Sequence, residues 1–420
     1  MKILYILQQS IYTPDGKWLT ADSNINMLVG FLTAFRGVES AWKDTQVDVV
    51  IGRRVDFADL DQFLNIFSDP HVNFIQFPFI VDAYYNRQHF DLREWLPIIK
   101  NGDYDIIINC LTEQSRNIKT ILVREKLKAK LITQCFWLDC PEIDKAKVDP
   151  SISYQWRQFD GMECSDLAVF TCQTTFNDFF QNAPFVFDAQ KVREVFQKST
   201  IWDFGYSQFE VDMYKRSRIV PQKCATIGFL NRLAGINYTN HTAFIEAIKL
   251  LAADPQYKDR FAVRFTNPSK KVDDDWLASN VPNFESFLDG KPLNRAEYFQ
   301  FLNECDITCH LFVIEAYGGC ALRESIACGN VPVVAWTGEQ SVIVDNPRLM
   351  VPITVNNEVM PDDIATSLKW AIDFVTGEMM QDGMLDMLTD LRGIRALNYE
   401  MCAFETQIQR FLSDIGGLYV

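Results

Sequence analysis

The sequence predicts an α/β protein of two doubly wound domains in tandem, facing a cleft. Three observations carry this reading. Apolar segments such as KILYILQQ (2–9), YDIIINC (104–110) and VPVVAW (331–336) are continuous rather than alternating, which is how parallel strands read when helices cover both faces. Segments of strand and helix character alternate along the chain, the order that βαβ units require. The alternation pauses over 184–222 and then restarts, and 420 residues suffice for two such domains.

In chain order, strand 2–9 leads into a polar loop whose turn residues are Pro14, Asp15 and Gly16. Asp22 or Ser23 caps a helix with Ile25, Leu28, Val29, Leu32 and Phe35 on one face. Strands follow at 46–52, 72–79, 104–110, 129–138 and 166–172, with helices near 57–67, 113–127 and 174–183. After the irregular segment 184–222, strands are expected at 225–230, 261–266, 283–288, 306–313, 331–336 and 349–355. Helices are expected at 240–252, 294–304, 320–328, 361–376 and 380–413. The domains are drawn at 1–222 and 223–378, leaving 379–420 as a C-terminal helix for which packing back on the first domain is one expectation.

A hydrophobic content of 48% with 23% charged residues places the chain in the globular class. The formal net charge of -15 argues against a broad electrostatic grip on nucleic acid or anionic lipid. The one dense basic cluster, Lys215, Arg216, Arg218 and Lys223, reads as a solvated linker face. The 11 cysteines form no CxxC pair, and Cys305 and Cys309 stand too isolated for a zinc site. Most lie in apolar runs, as Cys110, Cys135 and Cys172 do, and read as buried thiols of a reducing compartment. The start is too short for a signal peptide, and no apolar run reaches the roughly 18 residues that span a bilayer. The expectation is a soluble, cytoplasmic protein without stable membrane insertion.

The richest stretch is EAYGGCALRESIACGNVPVVAW, Glu315 to Trp336. It leaves the carboxyl end of the strand DITCHLFV, the edge at which open α/β sheets bind ligands. Gly318 and Gly319 let backbone approach a ligand, and the helix that starts at Cys320 offers free N–H groups and a positive dipole end, a cradle for phosphate. Glu324 lies about 6–8 Å further along the axis, where it accepts ribose hydroxyls without strong repulsion of the phosphates. Glu315, on the other side of the glycines, faces the sugar of a nucleotide sugar. The plainer alternative is a glycine turn with a capping glutamate.

Glu315, Gly318, Glu324, the run Ser-Ile-Ala-Cys-Gly and the strand Val-Pro-Val-Val resemble the donor-site signature of retaining GT-B glycosyltransferases, the family that includes sucrose synthase and many lipopolysaccharide glycosyltransferases. The resemblance covers roughly 225–376, and the first domain matches in the order of its elements. It implies two Rossmann-like domains and transfer of a sugar from a nucleoside diphosphate sugar, with UDP-sugar the leading choice, to an acceptor hydroxyl with retention. IGFLNR followed by a helix is similar to the opening of the family's second domain, which gives Arg232 the role of meeting the donor phosphates. Three departures stand out. Eight residues separate Glu315 from Glu324, one more than usual in the family. Asn237 stands where the family has a lysine, which leaves the diphosphate to Arg232, the helix end, and Lys17 or Arg323. Pro14-Asp15-Gly16-Lys17 replaces the usual Gly-Gly of the first loop.

The catalytic candidates are thus Arg232, Glu315 and Asp139, and the donor-binding candidates Gly16, Lys17, Gly318, Gly319, Cys320 and Glu324. Asp139, in CFWLDCPE, ends a strand and accepts the acceptor's proton or binds a donor hydroxyl; a helix cap before Pro141 is the alternative. Glu113 and Arg116 line the acceptor side, or Thr112 opens a capping box. His310 reads as a core histidine. Trp18 and Trp137 are flat surfaces for an acceptor ring, or core. Asp273 to Asp275 is an acidic run before a helix rather than a strand-end Asp-x-Asp, so neither metal nor cofactor is expected. The acceptor is read as soluble, a hydroxymethylated DNA base among the options. Two other readings remain open: a nucleotide-sugar epimerase of the same fold, and a non-catalytic sugar-nucleotide-binding protein.

Overall fold

The computed structural model describes residues 1–7, 23–52, 69–77, 80–82, 87–89, 92–135, 152–214, 223–230, 240–266, 274–286, 295–313, 319–356 and 358–419. The chain divides into two compact units, Met1–Phe204 with Phe404–Val420, and Gly205–Ala403.

The first unit contains strands β1 (Lys2–Ile6), β2 (Gln46–Gly52), β3 (Val72–Phe77), the antiparallel pair β4 (Ile80–Asp82) and β5 (Arg87–His89), β6 (Ile106–Asn109), β7 (Lys130–Cys135), β8 (Leu167–Phe170) and β9 (Ser199–Ile201). Seven of them form one parallel sheet in the order β3-β2-β1-β6-β7-β8-β9. This is the Rossmann order, which reverses between β1 and β6. The inner strands β6 and β8 are buried along their whole length, as continuous apolar runs require when helices cover both faces. Leu28, Leu32 and Phe35 of the helix Ser23–Arg36 are buried. Against that helix lies the C-terminal helix Phe404–Gly417. The Phe411 ring meets Phe31 at 5.0 Å, Phe35 at 5.5 Å and Trp202 at 5.2 Å, all edge-on. Such pairs contribute about 0.5–1.5 kcal/mol each beyond their buried area. The Trp202 indole N–H donates to Asp414 at 2.7 Å.

The second unit contains β10 (Ala225–Phe229), β11 (Phe261–Phe265), β12 (Ile307–His310), β13 (Val331–Ala335) and β14 (Met350–Val351), parallel throughout in the order β11-β10-β12-β13-β14. On the free side of β11, Phe284 makes a single parallel bridge to Val263. The strand expected at 283–288 is reduced to that bridge among the described residues. Phe229, Phe244 and Phe265 pack face and edge in the core, with Phe229 and Phe244 stacked at 4.5 Å.

The segment read as irregular, 184–222, holds the helix Ala189–Gln197, the strand β9 and the helix Gln208–Tyr214. The helix expected at 380–413 is two, Gln381–Cys402 and Phe404–Gly417, broken at Ala403 in extended backbone. The break has a physical cause. The Gly205 and Tyr206 N–H groups donate to the Cys402 carbonyl at 2.8 and 3.3 Å, and Tyr206 bridges Ala403 in parallel. The first and last residues of the second unit are thus paired. Strand 349–355 is also shorter than expected: β14 stops at Val351, and Ile353 turns back to bridge Val359 antiparallel. No helix among the described residues is long and apolar enough to cross a membrane.

Candidate functional site

In the second unit the strand order reverses between β10 and β12, so ligands of such a sheet bind beyond the carboxyl ends of these two neighbours. The chain leaves β10 at Phe229 towards Arg232, and leaves β12 at His310 towards Glu315 and Gly318. The exit from β12 is fixed from both sides. The Asn240 amide donates to the Leu311 carbonyl at 2.8 Å, and the Gln340 amide donates to the Phe312 carbonyl at 2.7 Å. Asn240 precedes the helix His241–Ala253 but does not cap it; it sits in left-handed backbone at φ 51° with its side chain turned to Leu311. Gln340 is fully buried, and its oxygen has no hydrogen-bond partner.

Gly319 then turns the chain into the helix Cys320–Cys328 at φ 72° and ψ 148°, a conformation open only to glycine. The helix ends at Gly329 in left-handed backbone (φ 94°), with the Asn330 N–H donating to the Ser325 carbonyl at 3.1 Å. Nine residues are therefore held by a glycine at each end, and the first N–H groups of such a helix find no carbonyl within it. Glu324 is buried one turn in.

Behind the helix lies a small polar network. Ser325 Oγ donates to the Leu322 carbonyl at 2.8 Å and accepts from Thr308 Oγ1 at 3.1 Å and from His310 Nε2 at 3.3 Å. These roles place the imidazole proton on Nε2 and leave Nδ1 as an acceptor, which has no partner. Burial pushes the His310 pKa down to about 3, so the ring is neutral. His310 is thus a core histidine, satisfied at one nitrogen only.

Arg323 is not open to solvent at the helix start. Its side chain is fully buried; Nε donates to the Cys402 sulfur at 3.1 Å and Nη1 to the Gly319 carbonyl at 3.4 Å.

Of the sequence candidates, Gly319, Cys320 and Glu324 come together on this one helix. Gly16, Lys17, Asp139, Arg232, Glu315 and Gly318 lie outside the described residues, as do Asn237, Trp18 and Trp137. In the first unit, Glu113 is buried in a single turn, Thr112–Gln114, after β6. No side chain caps that turn or the following helix. Ser115 instead accepts from the Asn109 amide at 2.8 Å and pairs with Thr133 at 2.6 Å, so the capping-box alternative falls. Arg116 is engaged with Asp160 on the surface, Nε to carboxylate at 2.9 and 3.0 Å. Among the described residues no group of three or more His, Cys, Asp or Glu is arranged to hold a metal ion.

Sequence reasoning missed Asn240 and Gln340. Asn240 carries a helix-start signal, but its use on a neighbouring loop leaves no mark in the sequence.

These two sheets define the fold class. The architecture is that of the GT-B glycosyltransferases, two Rossmann-like α/β units, matched over the full chain. A glycosyltransferase from Rickettsia africae is similar with a TM-score of 0.66 at 11% identity, covering 100% of this chain and 98% of that one. HepE of Anabaena, solved in complex with UDP, has a TM-score of 0.63 at 13% identity, covering 99% of this chain and 100% of that one. Sucrose-phosphate synthase of Thermosynechococcus elongatus has a TM-score of 0.61 at 12% identity, covering 100% and 99%. At such identities the likeness defines the fold. No protein-family model and no curated protein matches the sequence.

Proposed function

We propose that the protein transfers a sugar from a nucleoside diphosphate sugar, with UDP-sugar the leading choice, to an acceptor hydroxyl, with retention of configuration. The observation that carries the reading is the helix Cys320–Cys328 at the switch point: a glycine-only turn at Gly319, the positive dipole end of the helix at Cys320, and a carboxylate, Glu324, one turn further on. The N–H groups and dipole meet the diphosphate, and Glu324 accepts from the ribose. Similar structures were solved with UDP and UDP-glucose, which supports the donor class. Gly318 completes the cradle, Glu315 faces the donor sugar, and Arg232 carries leaving-group charge; Gly16 and Lys17 are further donor-binding residues. Asp139 orients the acceptor hydroxyl or a donor hydroxyl. No nucleophile is evident, so bond breaking leads through an oxocarbenium-like state on one face of the sugar. The acceptor is a soluble hydroxyl compound, and a hydroxymethylated DNA base belongs to that class.

The test is calorimetry with a panel of nucleotide sugars on the wild type and on Glu324→Gln. The substitution keeps the size of the side chain and weakens a charge-assisted acceptor, an interaction of about 1.5–3 kcal/mol. Donor affinity is expected to fall by one to two orders of magnitude with the melting temperature held. Equal affinity in the two proteins would take Glu324 out of the site.

Metal chelation tests the charge accounting. With Arg232 and the helix start on the diphosphate, EDTA is expected to leave turnover nearly intact. Turnover that vanishes in EDTA and returns with Mn²⁺ or Mg²⁺ would assign the phosphate charge to a cation instead.

A further inference from the structure

Arg323 is a guanidinium without solvent exposure, one residue before Glu324. Burying a charge is strongly unfavourable unless its donors are used. Among the described residues, bonds of Arg323 run in two directions. Nη1 reaches back along the helix to the carbonyl of Gly319, the residue whose backbone turns the chain into the donor helix. Nε donates to the sulfur of Cys402, the last residue of the helix Gln381–Cys402. The Cys402 carbonyl in turn holds the N–H groups of Gly205 and Tyr206. Gly205 has no room for a side chain here: a Cβ would stand 2.2 Å from Arg323 Cδ and 2.9 Å from Cys402 Cβ. A second tie runs from the Asn398 amide to the Arg323 carbonyl at 3.0 Å.

Gly205 and Ala403 are where the chain enters and leaves the second unit. We propose that Arg323 is a positioning residue that links occupancy of the donor helix to the paired crossing segments, Gly205–Tyr206 and Cys402–Ala403. The inference rests on the donor reading above. A ligand that orders the Gly319 turn favours the Arg323 geometry that also holds Cys402 and Gly205. By linkage, the crossing segments act back on donor affinity to the same extent. A lysine has neither the forked donors nor the reach to serve both ends.

The experiment is amide hydrogen exchange of the full chain with and without UDP, read by peptide, with UDP affinity by calorimetry. In the wild type, UDP is expected to slow exchange at 319–325 and also at 205–207 and 402–404. In Arg323→Met, UDP affinity is expected to fall about 5- to 20-fold, the lower part of the range for coupled sites. At saturating UDP, protection at 319–325 returns and protection at the crossing segments does not. Arg323→Lys is expected to fall between the two. Should Arg323→Met fail to fold, Cys402→Ala removes the sulfur acceptor while keeping the arginine, and it carries the same expectation with a smaller loss. UDP binding that protects 319–325 in the wild type without change at the crossing segments, or with the same change in the variants, overturns the coupling and leaves the donor reading standing. A wild type that binds neither UDP nor any other nucleoside diphosphate overturns both.

Discussion

Arg232→Ala is expected to abolish sugar transfer while the protein keeps its fold. A departing nucleoside diphosphate gains negative charge as the bond to the sugar breaks, and only groups that meet this charge in the transition state raise the rate. The proposed site sets Arg232 and one helix start against this charge, since Asn237 stands at the position where the resemblance implies a second cation. Losing a single such contact commonly lowers turnover by about 10²–10³-fold, and Asn237 supplies no charge to share the load. The companion variant Asn237→Lys is expected to equal or exceed the wild type. Transfer that survives in Arg232→Ala would move the phosphate contact elsewhere, with Lys17 next in line. A wild type inactive with every donor, in which Asn237→Lys creates donor binding, would mean a degenerate site with a binding role.

Gly161→Ala is expected to destabilise the first unit sharply, against the sign that helix propensity gives. Gly161 lies inside the helix Ile152–Cys164, where alanine is favoured over glycine by about 1 kcal/mol. A Cβ at this position would stand 2.0 Å from the Thr112 carbonyl oxygen and 3.3 Å from Ser115 Cβ. The first obstacle is backbone, so the helix and the turn after β6 must separate. That movement pulls on a buried chain of hydroxyls, Ser115 to Thr133 at 2.6 Å, Thr133 to Ser165, and Ser165 to the Gly161 carbonyl at 2.6 Å. Overpacking of this kind costs about 1–3 kcal/mol where side chains yield, and backbone yields less. A loss of about 3 kcal/mol lowers the melting temperature by roughly 6–12 °C for a unit of this size. A melting temperature equal to or above the wild type would show that the close approach of helix and turn is not enforced.

Much of the fold was legible because its signals are local. Continuous apolar runs mark parallel strands through their own composition, and the described strands β1, β2, β6, β7, β8, β10, β11, β12 and β13 all fall within segments read that way. Gly319 and Gly329 bound the helix Cys320–Cys328 because single backbone conformations at its two ends disfavour other residues. The elements that escaped are those without a local signature. The helix Leu92–Gly102 carries Pro97 inside it, a residue that marks a break more often than a helix. The strand β9 has three residues and no apolar run, and its place beside β8 follows from pairing alone.

The sequence by itself determined the two parallel sheets, the turn and helix at the candidate donor site, and the carboxylate one turn along it, because each depends on residues a few positions apart. Only the tertiary structure decided what lies across the chain from them. It limits the C-terminal part of the first unit to Phe404–Val420, ends the preceding helix at Cys402, and buries Arg323 against a sulfur 79 residues away. It also turns Asn240 and Gln340 onto the exit from β12. Periodicity tells which face of an element is apolar, but not which other element covers it. That choice is made by packing and hydrogen-bond satisfaction between segments remote in sequence, where no spacing rule applies.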